Sequence, residues 1–468
     1  MTGRAPVEYT DVSSVRGPLI AVQGVEGVGW DEVVSIRLPS GATRRGVVLE
    51  VSRDVAIVEV YEGTSGLSPT ALRVEFEGSP MQIAVGPQWL GRVCSGSGEP
   101  LDAGPPVFTP QRSPVAGYPI NPAARATPRD PITTGLSIID GLATLVRGQK
   151  LPIFSVGGLP HLELATQIAA QASAGDEPFA VIFAAMGITH TDATMVREGL
   201  EERASSGDLA LFLNTADDPI VERVLTPRIA LTIAEHLAFV EGRHVLVVMA
   251  DMTSYCEAVR EVSAARGETP SRRGYPGYLY SDLASIYERA GRINGRPGSI
   301  TQIPVLTMPA GDITHPVPDL TGYITEGQLV LTQERHVRGL YPPFEPLQSL
   351  SRLMRLGAGP GRTRDDHLDI AGQIYALASE ARRAADLADL VGEDALGEDD
   401  HGFLEAGAAL DDILIAQGRW ETRSLDQTLD RAWRVASAVP RRQLSMHPGR
   451  LVDAHYVEGA GDGSSPTG

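Results

Sequence analysis

Between an apolar run at Leu151–Ser155 and a helical pattern opening near Leu162 lies Ser155-Val-Gly-Gly-Leu-Pro-His-Leu162. A strand, a glycine-bearing loop and a helix in that order is how nucleoside triphosphatases hold phosphates, with the pattern G-x-x-x-x-G-K-[ST]. There the glycines let backbone N–H groups close on the phosphates, the lysine meets the terminal phosphates, and the hydroxyl holds Mg²⁺. In this chain Ser155 stands at the first glycine, Pro160 at the second, His161 at the lysine and Leu162 at the hydroxyl, with Gly157 and Gly158 between. Proline removes an amide donor, and an imidazole carries no permanent charge near neutral pH. Such a loop cannot hydrolyse ATP in the usual way. The same residues also fit an ordinary tight βα turn with Pro160 at the first helical position. At the next strand end, Ala184-Ala-Met-Gly-Ile-Thr189, there is no carboxylate to orient an attacking water. The run His244–Ala250 does end on an acid, Asp251, where a vestigial Mg²⁺-supporting carboxylate would stand, although an acid at a strand end is commonplace.

Lys150 is the single lysine; the other 39 of the 40 basic residues are arginine. A GC-rich genome accounts for such a bias, but any mechanism requiring a lysine must use Lys150 or be absent. Lys150 precedes the strand, on the wrong side for the phosphate loop. Arg352 and Arg355, flanking Met354, read on their own as a solvated face.

The elements that must position these groups come in three blocks. Residues 17 to about 75 carry short β-branched runs, such as Arg45–Val51 and Val55–Tyr61, punctuated by glycines, which suggests a small barrel or sandwich. From about 76 to 131 the chain is dense in Pro and Gly and reads as an irregular connector. Between roughly 132 and 365 strand candidates Leu151–Ser155, Phe179–Ala185, Leu209–Asn214, His244–Ala250 and Ile303–Met308 alternate with helical stretches Leu162–Ala174, Asp192–Ser205, Pro227–Glu241 and Ser281–Gly291. That alternation implies a mostly parallel sheet covered on both faces. Beyond 365 only helices are expected, over His367–Leu390, Gly402–Gln417 and Ser424–Val439, the last opening on a capping box at Ser424 and Gln427. Domain boundaries therefore fall at 1–75, 76–365 and 366–457, with a Gly/Ser-rich tail, 458–468, expected to be disordered.

Composition narrows the function. With 468 residues, 59 acidic against 40 basic and a net charge of −19, nucleic acid and anionic membrane surfaces are poor main partners. No apolar run approaches the roughly 20 residues of a membrane helix; the longest is Phe179–Ile188. The amino terminus lacks the apolar core of a signal peptide. Cys94 and Cys256 stand far apart without metal-ligand spacing, so neither a disulfide framework nor a metal site is implied. The expectation is a soluble, intracellular, multidomain protein.

The loop and its surroundings resemble the B subunit of the A-type and V-type rotary ATPases. The resemblance runs through Gly96-Ser-Gly-Glu-Pro-Leu-Asp102, Thr134-Gly-Leu-Ser-Ile-Ile-Asp140, Arg147-Gly-Gln-Lys-Leu-Pro-Ile-Phe154 and Gly158-Leu-Pro-His161. It continues through Phe212-Leu-Asn-Thr-Ala-Asp-Asp-Pro219, Asp251-Met-Thr-Ser-Tyr-Cys-Glu-Ala258, Arg272-Arg-Gly-Tyr-Pro-Gly-Tyr278, Gly311-Asp-Ile-Thr-His-Pro-Val-Pro-Asp319 and Ser349-Leu-Ser-Arg-Leu-Met354. It implies an N-terminal β-barrel, a central RecA-like α/β domain with a degenerate phosphate loop, and a C-terminal helical domain. It further implies a non-catalytic subunit alternating with catalytic A subunits in a hexameric ring, next to central and peripheral stalks and linked through them to a membrane ion-translocating sector. ATP or ADP with Mg²⁺ would sit at the interface, held mainly by the A subunit and not tightly by this chain alone. Arg352, within Ser-Leu-Ser-Arg-Leu-Met, would be an arginine finger for the neighbour's ATP. The complex would be cytoplasmic and peripheral to the membrane. Family members usually carry Ser-Gly-Ser-Gly at the degenerate loop and a polar residue after the histidine; Val156 and Leu162 depart from that. A purely structural ring spacer and a stand-alone hexameric motor, such as a secretion ATPase, are the alternatives; the motor would need the intact phosphate loop that this chain lacks.

Overall fold

The structure, a computed structural model, describes residues 6–444 and 449–457. The tail at 458–468, expected to be disordered, lies outside the described residues. Seven antiparallel strands come first: β1 (Val7–Tyr9), β2 (Val12–Arg16), β3 (Leu19–Gln23), β4 (Glu32–Arg37), β5 (Thr43–Ser52), β6 (Val55–Val60) and β7 (Arg73–Pro80), paired in the order β1-β7-β4-β5-β6-β3-β2. Residues two apart on a strand share a face, which brings the pairs Ile20/Val22, Val34/Ile36, Val58/Val60 and Val74/Phe76 into one buried core. The last strand runs to Pro80, so residue 75 falls inside it.

The connector holds short paired segments, Gln82–Ala84 with Arg112–Pro114 and Arg125–Ala126 with Gly291–Ile293, and Val93–Ser95 (β8) joins the next sheet as an edge strand, parallel to its neighbour. The central sheet adds β9 (Ile153–Val156), β10 (Phe179–Ile188), β11 (Leu209–Thr215), β12 (His244–Ala250), β13 (Ser299–Met308), β14 (Gly327–Val330) and β15 (Leu350–Ser351). The strands lie in the order β15-β14-β9-β13-β12-β10-β11-β8, with every neighbouring pair parallel except β14–β15. Alternating residues divide between two cores. Val181, Phe183, Leu246 and Val248 face the helix α1 (His161–Gln171) side, whereas Ile182, Ala184, Val245 and Val247 face α2 (Ile220–Phe239), α3 (Met252–Ala265) and α4 (Leu279–Tyr287). Both faces are covered, which is why the strands read as continuous apolar runs.

The expected helix Asp192–Ser205 divides into His190–Gly199 and Glu201–Ser205, the one at Gly402–Gln417 begins at Glu398, and two further helices differ from their sequence-based bounds for a clear physical reason. The one expected to open at Pro227 starts at Ile220 and carries Pro227 in its interior. An interior proline costs about 3 kcal/mol, and here burial of Val221, Ile229, Leu231, Ile233 and Leu237 along one helix outweighs it. Helix α4 stops at Tyr287, and Gly291–Ile293 turns into a short strand paired antiparallel to β13.

The C-terminal helices α5 (His367–Val391), α6 (Glu398–Ala409) and α7 (Leu425–Ala436) pack onto the α1 side of the sheet, sharing its core through Ile370, Ile374, Ala406, Leu429 and Trp433. The capping box that opens α7 is formed, Ser424 Oγ accepting from the Gln427 amide at 3.2 Å and Gln427 Oε1 from the Ser424 amide at 3.0 Å. The first sheet meets the central domain where Tyr61 clusters with Val221 of α2 and Val262 of α3, and through an Arg266–Glu59 ion pair of 2.9 Å. No helix among the described residues is long and apolar enough to cross a membrane.

Candidate functional site at the two ends of one sheet

Strand β9 delivers the chain to the loop at its carboxyl end. Val156 to Leu159 make a tight turn closed by the Leu159 amide on the Val156 carbonyl at 3.2 Å, with Gly158 at φ +87°. A positive φ at the third position of such a turn favours glycine. Pro160 is the residue before the helix, one earlier than the first helical position the sequence suggests; its carbonyl accepts from the Leu164 amide at 3.0 Å. The His161 amide and Nδ1 both approach the Leu159 carbonyl, at 2.8 and 2.9 Å. Ser155 is fully buried, its hydroxyl turned to the Val156 carbonyl, and Leu162 is buried in the core below the helix.

These contacts test the loop as a phosphate cradle. Leu159 and His161 spend their amides on carbonyls of the loop itself, and Pro160 has none. A side chain at Gly157 or Gly158 would meet nothing within 4 Å, so these glycines are not needed for close packing. The cation and hydroxyl that a Mg²⁺–triphosphate requires are replaced by His161 and an inward-facing Leu162. The residues present do not fit a hydrolysable Mg²⁺–ATP. The cleft they form with Met186, Thr189 and Asp251 holds about 240 Å³, below the roughly 300–1,000 Å³ of small-molecule pockets.

Asp251 follows β12 and faces this cleft, as a strand-end acid should. Its oxygens are occupied: Oδ1 takes the Thr253 amide at 2.6 Å, capping α3, and Oδ2 takes the Thr307 hydroxyl at 2.7 Å. Among the described residues no group of three or more His, Cys, Asp or Glu side chains could hold a metal ion. Asp251 caps a helix in this chain.

Arg352 stands at the other end of the sheet. Strand β15 runs antiparallel to β14, with Ser351 opposite Gly327, the first residue of β14. Because β14 is parallel to β9, Arg352 lies beside the sheet's amino end while the loop leaves its carboxyl end. At about 3.3 Å per residue the intervening strand spans more than 10 Å, so Arg352 does not serve this chain's own loop. Arg352 is exposed, and no carboxylate among the described residues lies within ion-pairing distance. Its backbone is held by the Glu326 carbonyl at 3.0 Å, and its Nη1 donates to the Thr325 carbonyl at 3.3 Å. Arg355 is also exposed, one helical turn on.

Sequence reading misses the side chains that surround Arg352. Gln149 Nε2 donates to the Glu326 carbonyl at 3.0 Å and to Ser351 Oγ at 2.9 Å, and that hydroxyl donates to the Thr144 carbonyl at 3.0 Å. Lys150, at the same end of the sheet, is buried between Glu288 and Glu326. Partners separated by 138 to 207 residues leave no periodic signal; only the uniqueness of Lys150 hints at them. On the loop side, Arg419 from the C-terminal part reaches Glu163 at 2.9 Å.

Comparison with known proteins gives three domains in the same order. Residues 12–78 match the beta-barrel domain of the ATP synthase alpha/beta family, 135–351 its nucleotide-binding domain, and 356–456 the C-terminal domain of V and A type ATP synthase. The chain is 53% identical over 451 residues to a V-type ATP synthase beta chain of Halothermothrix orenii, covering 96% of this chain and 97% of that one. It is 53% identical over 439 residues to the B subunit of an A-type ATP synthase of Aeropyrum pernix, covering 93% and 95%. A solved ATP synthase subunit, NeqB from Nanoarcheaum equitans, superposes with a TM-score of 0.72 at 37% identity, over 90% of this chain and 100% of that one.

Proposed function

As the chain belongs to the ATP synthase alpha/beta family, in its V and A type branch, we propose that it works as the non-catalytic B subunit of the complex. In this reading it alternates with catalytic A subunits in a hexameric ring around the central stalk, peripheral to the membrane. ATP or ADP with Mg²⁺ is held at the shared interface mainly by the A subunit. The chain supplies Arg352 to that site.

The observation that carries the reading is the separation of the two candidate groups. The loop at the phosphate position of this chain does not fit a hydrolysable Mg²⁺–ATP. The one guanidinium that the resemblance singles out is exposed at the opposite end of the sheet, without an acidic partner among the described residues, on a tethered main chain. Charge spreads over the oxygens of a phosphoryl group in transfer, and a planar guanidinium from the adjacent subunit can stabilise it through two parallel hydrogen bonds. A group contributed by a second chain makes chemistry depend on ring closure, which couples turnover to the state of the ring.

An arginine finger contributes about 10³–10⁵ in rate where it has been measured. In a ring reconstituted with A subunits, Arg352→Ala should collapse ATP turnover while assembly and nucleotide binding survive. Arg352→Lys should rescue little, because the fork is lost, and Arg355→Ala should be mild. Near-wild-type turnover of Arg352→Ala in a hexamer verified by mass photometry would reduce the chain to a spacer at this interface.

A further inference from the structure

Resting on the arginine-finger reading, we propose that Lys150 is the positioning residue that sets where Arg352 stands. The first reason is compositional. The other 39 of the 40 Lys and Arg positions in this chain are arginine, so a site that tolerated either residue would be expected to carry arginine. Lys150 has held out, and it has done so where a lysine is least comfortable. It is 3% exposed, and burying an ammonium group is costly unless it is paired and hydrogen-bonded.

The geometry explains what arginine could not do. Lys150 Nζ lies 2.8 Å from Glu326 Oε1 and 3.1 Å from Glu288 Oε1. Two oxygens from two different side chains converge on one nitrogen, a task for a compact point charge with rotatable donors; a planar fork would need acceptors spread across its edge. Glu326 Oε2 accepts the backbone N–H of Lys150 itself at 2.8 Å, so both oxygens of Glu326 are clamped by one residue. Glu288 is fixed from the far side by Arg125 at 2.6 Å. The result is a continuous set of contacts, Arg125–Glu288–Lys150–Glu326, and the Glu326 carbonyl at its end receives the Arg352 amide. Moving Glu326 moves the main chain of Arg352. A catalytic group must be held within about 0.5 Å, and a displacement of about 1 Å can cost roughly 10²-fold in rate. Lys150 touches neither substrate nor nucleotide; it acts through Arg352.

The test is a set of mutant cycles in the ring reconstituted with A subunits, reading kcat and KM for ATP, with assembly followed by mass photometry. Two variants are used: Lys150→Arg, and Lys150→Met combined with Glu326→Gln, which removes the ammonium together with the carboxylate it clamps, while Glu288 keeps its ion pair with Arg125. Each is made alone and together with Arg352→Ala. Alone, each should lower kcat about 10–100-fold with KM changed less than about twofold. With Arg352 already removed, the same changes should cost less than about twofold, because a positioning residue has nothing left to position. Equal losses with and without Arg352 would assign Lys150 to the fold alone, and so would failure of both variants to enter the ring; wild-type kcat in Lys150→Arg would also overturn the proposal. If Arg352→Ala collapses turnover while the Lys150 losses are simply additive, the finger stands and this proposal falls. Near-wild-type turnover of Arg352→Ala itself removes the finger, and the positioning role with it.

Discussion

Acid should weaken the sheet that carries both candidate groups, and one histidine should account for a measurable part of the effect. His244 opens β12 at the sheet's amino end and is 4% exposed. Its Nε2 is 3.2 Å from Arg147 Nη1, and its Nδ1 is 2.8 Å from Ser299 Oγ. A guanidinium can only donate, so Nε2 must be the acceptor and Nδ1 must carry the proton. Protonating Nε2 would set a new N–H against Arg147. Burial, then the charge of Arg147, with Arg292 adding to it, push the His244 pKa from 6.5 down to about 4, while Glu177 and Asp130 pull the other way without prevailing. The direction sets the sign. The unfolded chain takes up this proton near pH 6.5 and the folded chain only near pH 4, so stability present above pH 6.5 is lost as pH falls through that window. A shift of about 2.5 units at about 1.4 kcal/mol each, integrated from about pH 7 to about pH 4.5, gives a loss of about 2 kcal/mol. His244→Gln keeps a neutral group able to accept from Arg147 and donate to Ser299, and it cannot titrate. Differential scanning fluorimetry of both proteins over that range should show the wild type losing several degrees more in Tm than the variant, at roughly 2–4 °C per kcal/mol for a unit of this size. If the two curves fall in parallel with pH, His244 is not held neutral by Arg147 and the reasoning fails.

Two further outcomes are expected. The isolated chain should not hydrolyse ATP, since Pro160, His161 and Leu162 replace an amide donor, a cation and a Mg²⁺ ligand; turnover that persists through size-exclusion polishing, with no co-purified ATPase by mass spectrometry, would contradict this. Gly298→Ala should destabilise the central sheet by on the order of 3 kcal/mol, because a Cβ there would run into the carbonyl oxygens of Ala238 and Arg243; an unchanged melting curve would show that the backbone can yield.

The strands of the central sheet are legible because burial on both faces leaves almost no polar residue to interrupt them, as in Phe179–Ile188 and His244–Ala250. The Ser424 capping box is legible because both of its partners lie within four residues. Prolines mislead for the opposite reason. Pro227 looks locally like a helix start, yet apolar residues on both sides of it extend the helix through it. Pro160 looks like a first helical residue, yet its ψ of 45° leaves it just outside the helix. Val93–Ser95 sits among prolines and glycines with no alternation to mark it, and only the exposed edge of β11 makes it a strand.

The candidate groups are legible to very different degrees, and the difference has a chemical cause. A phosphate loop is a contiguous motif, so its failure can be read residue by residue from Ser155 to Leu162. What holds an exposed arginine in place is not contiguous. Thr144, Gln149, Lys150, Glu288, Glu326 and Ser351 come together only when β9, β13, β14 and β15 lie side by side. The same geometry gives a chain whose own loop does not fit a hydrolysable Mg²⁺–ATP a reason to keep the whole parallel sheet. The carboxyl end of the sheet lacks the cation and hydroxyl that hydrolysis needs, so its loop is free of that constraint. The amino end has no such freedom. Arg352 is fixed through carbonyls of Thr325 and Glu326 at the entry to β14, and those carbonyls keep their place only while β14 pairs with β9 on one side and β15 on the other. If Arg352 serves a neighbouring site, the sheet is retained as the frame that aims it.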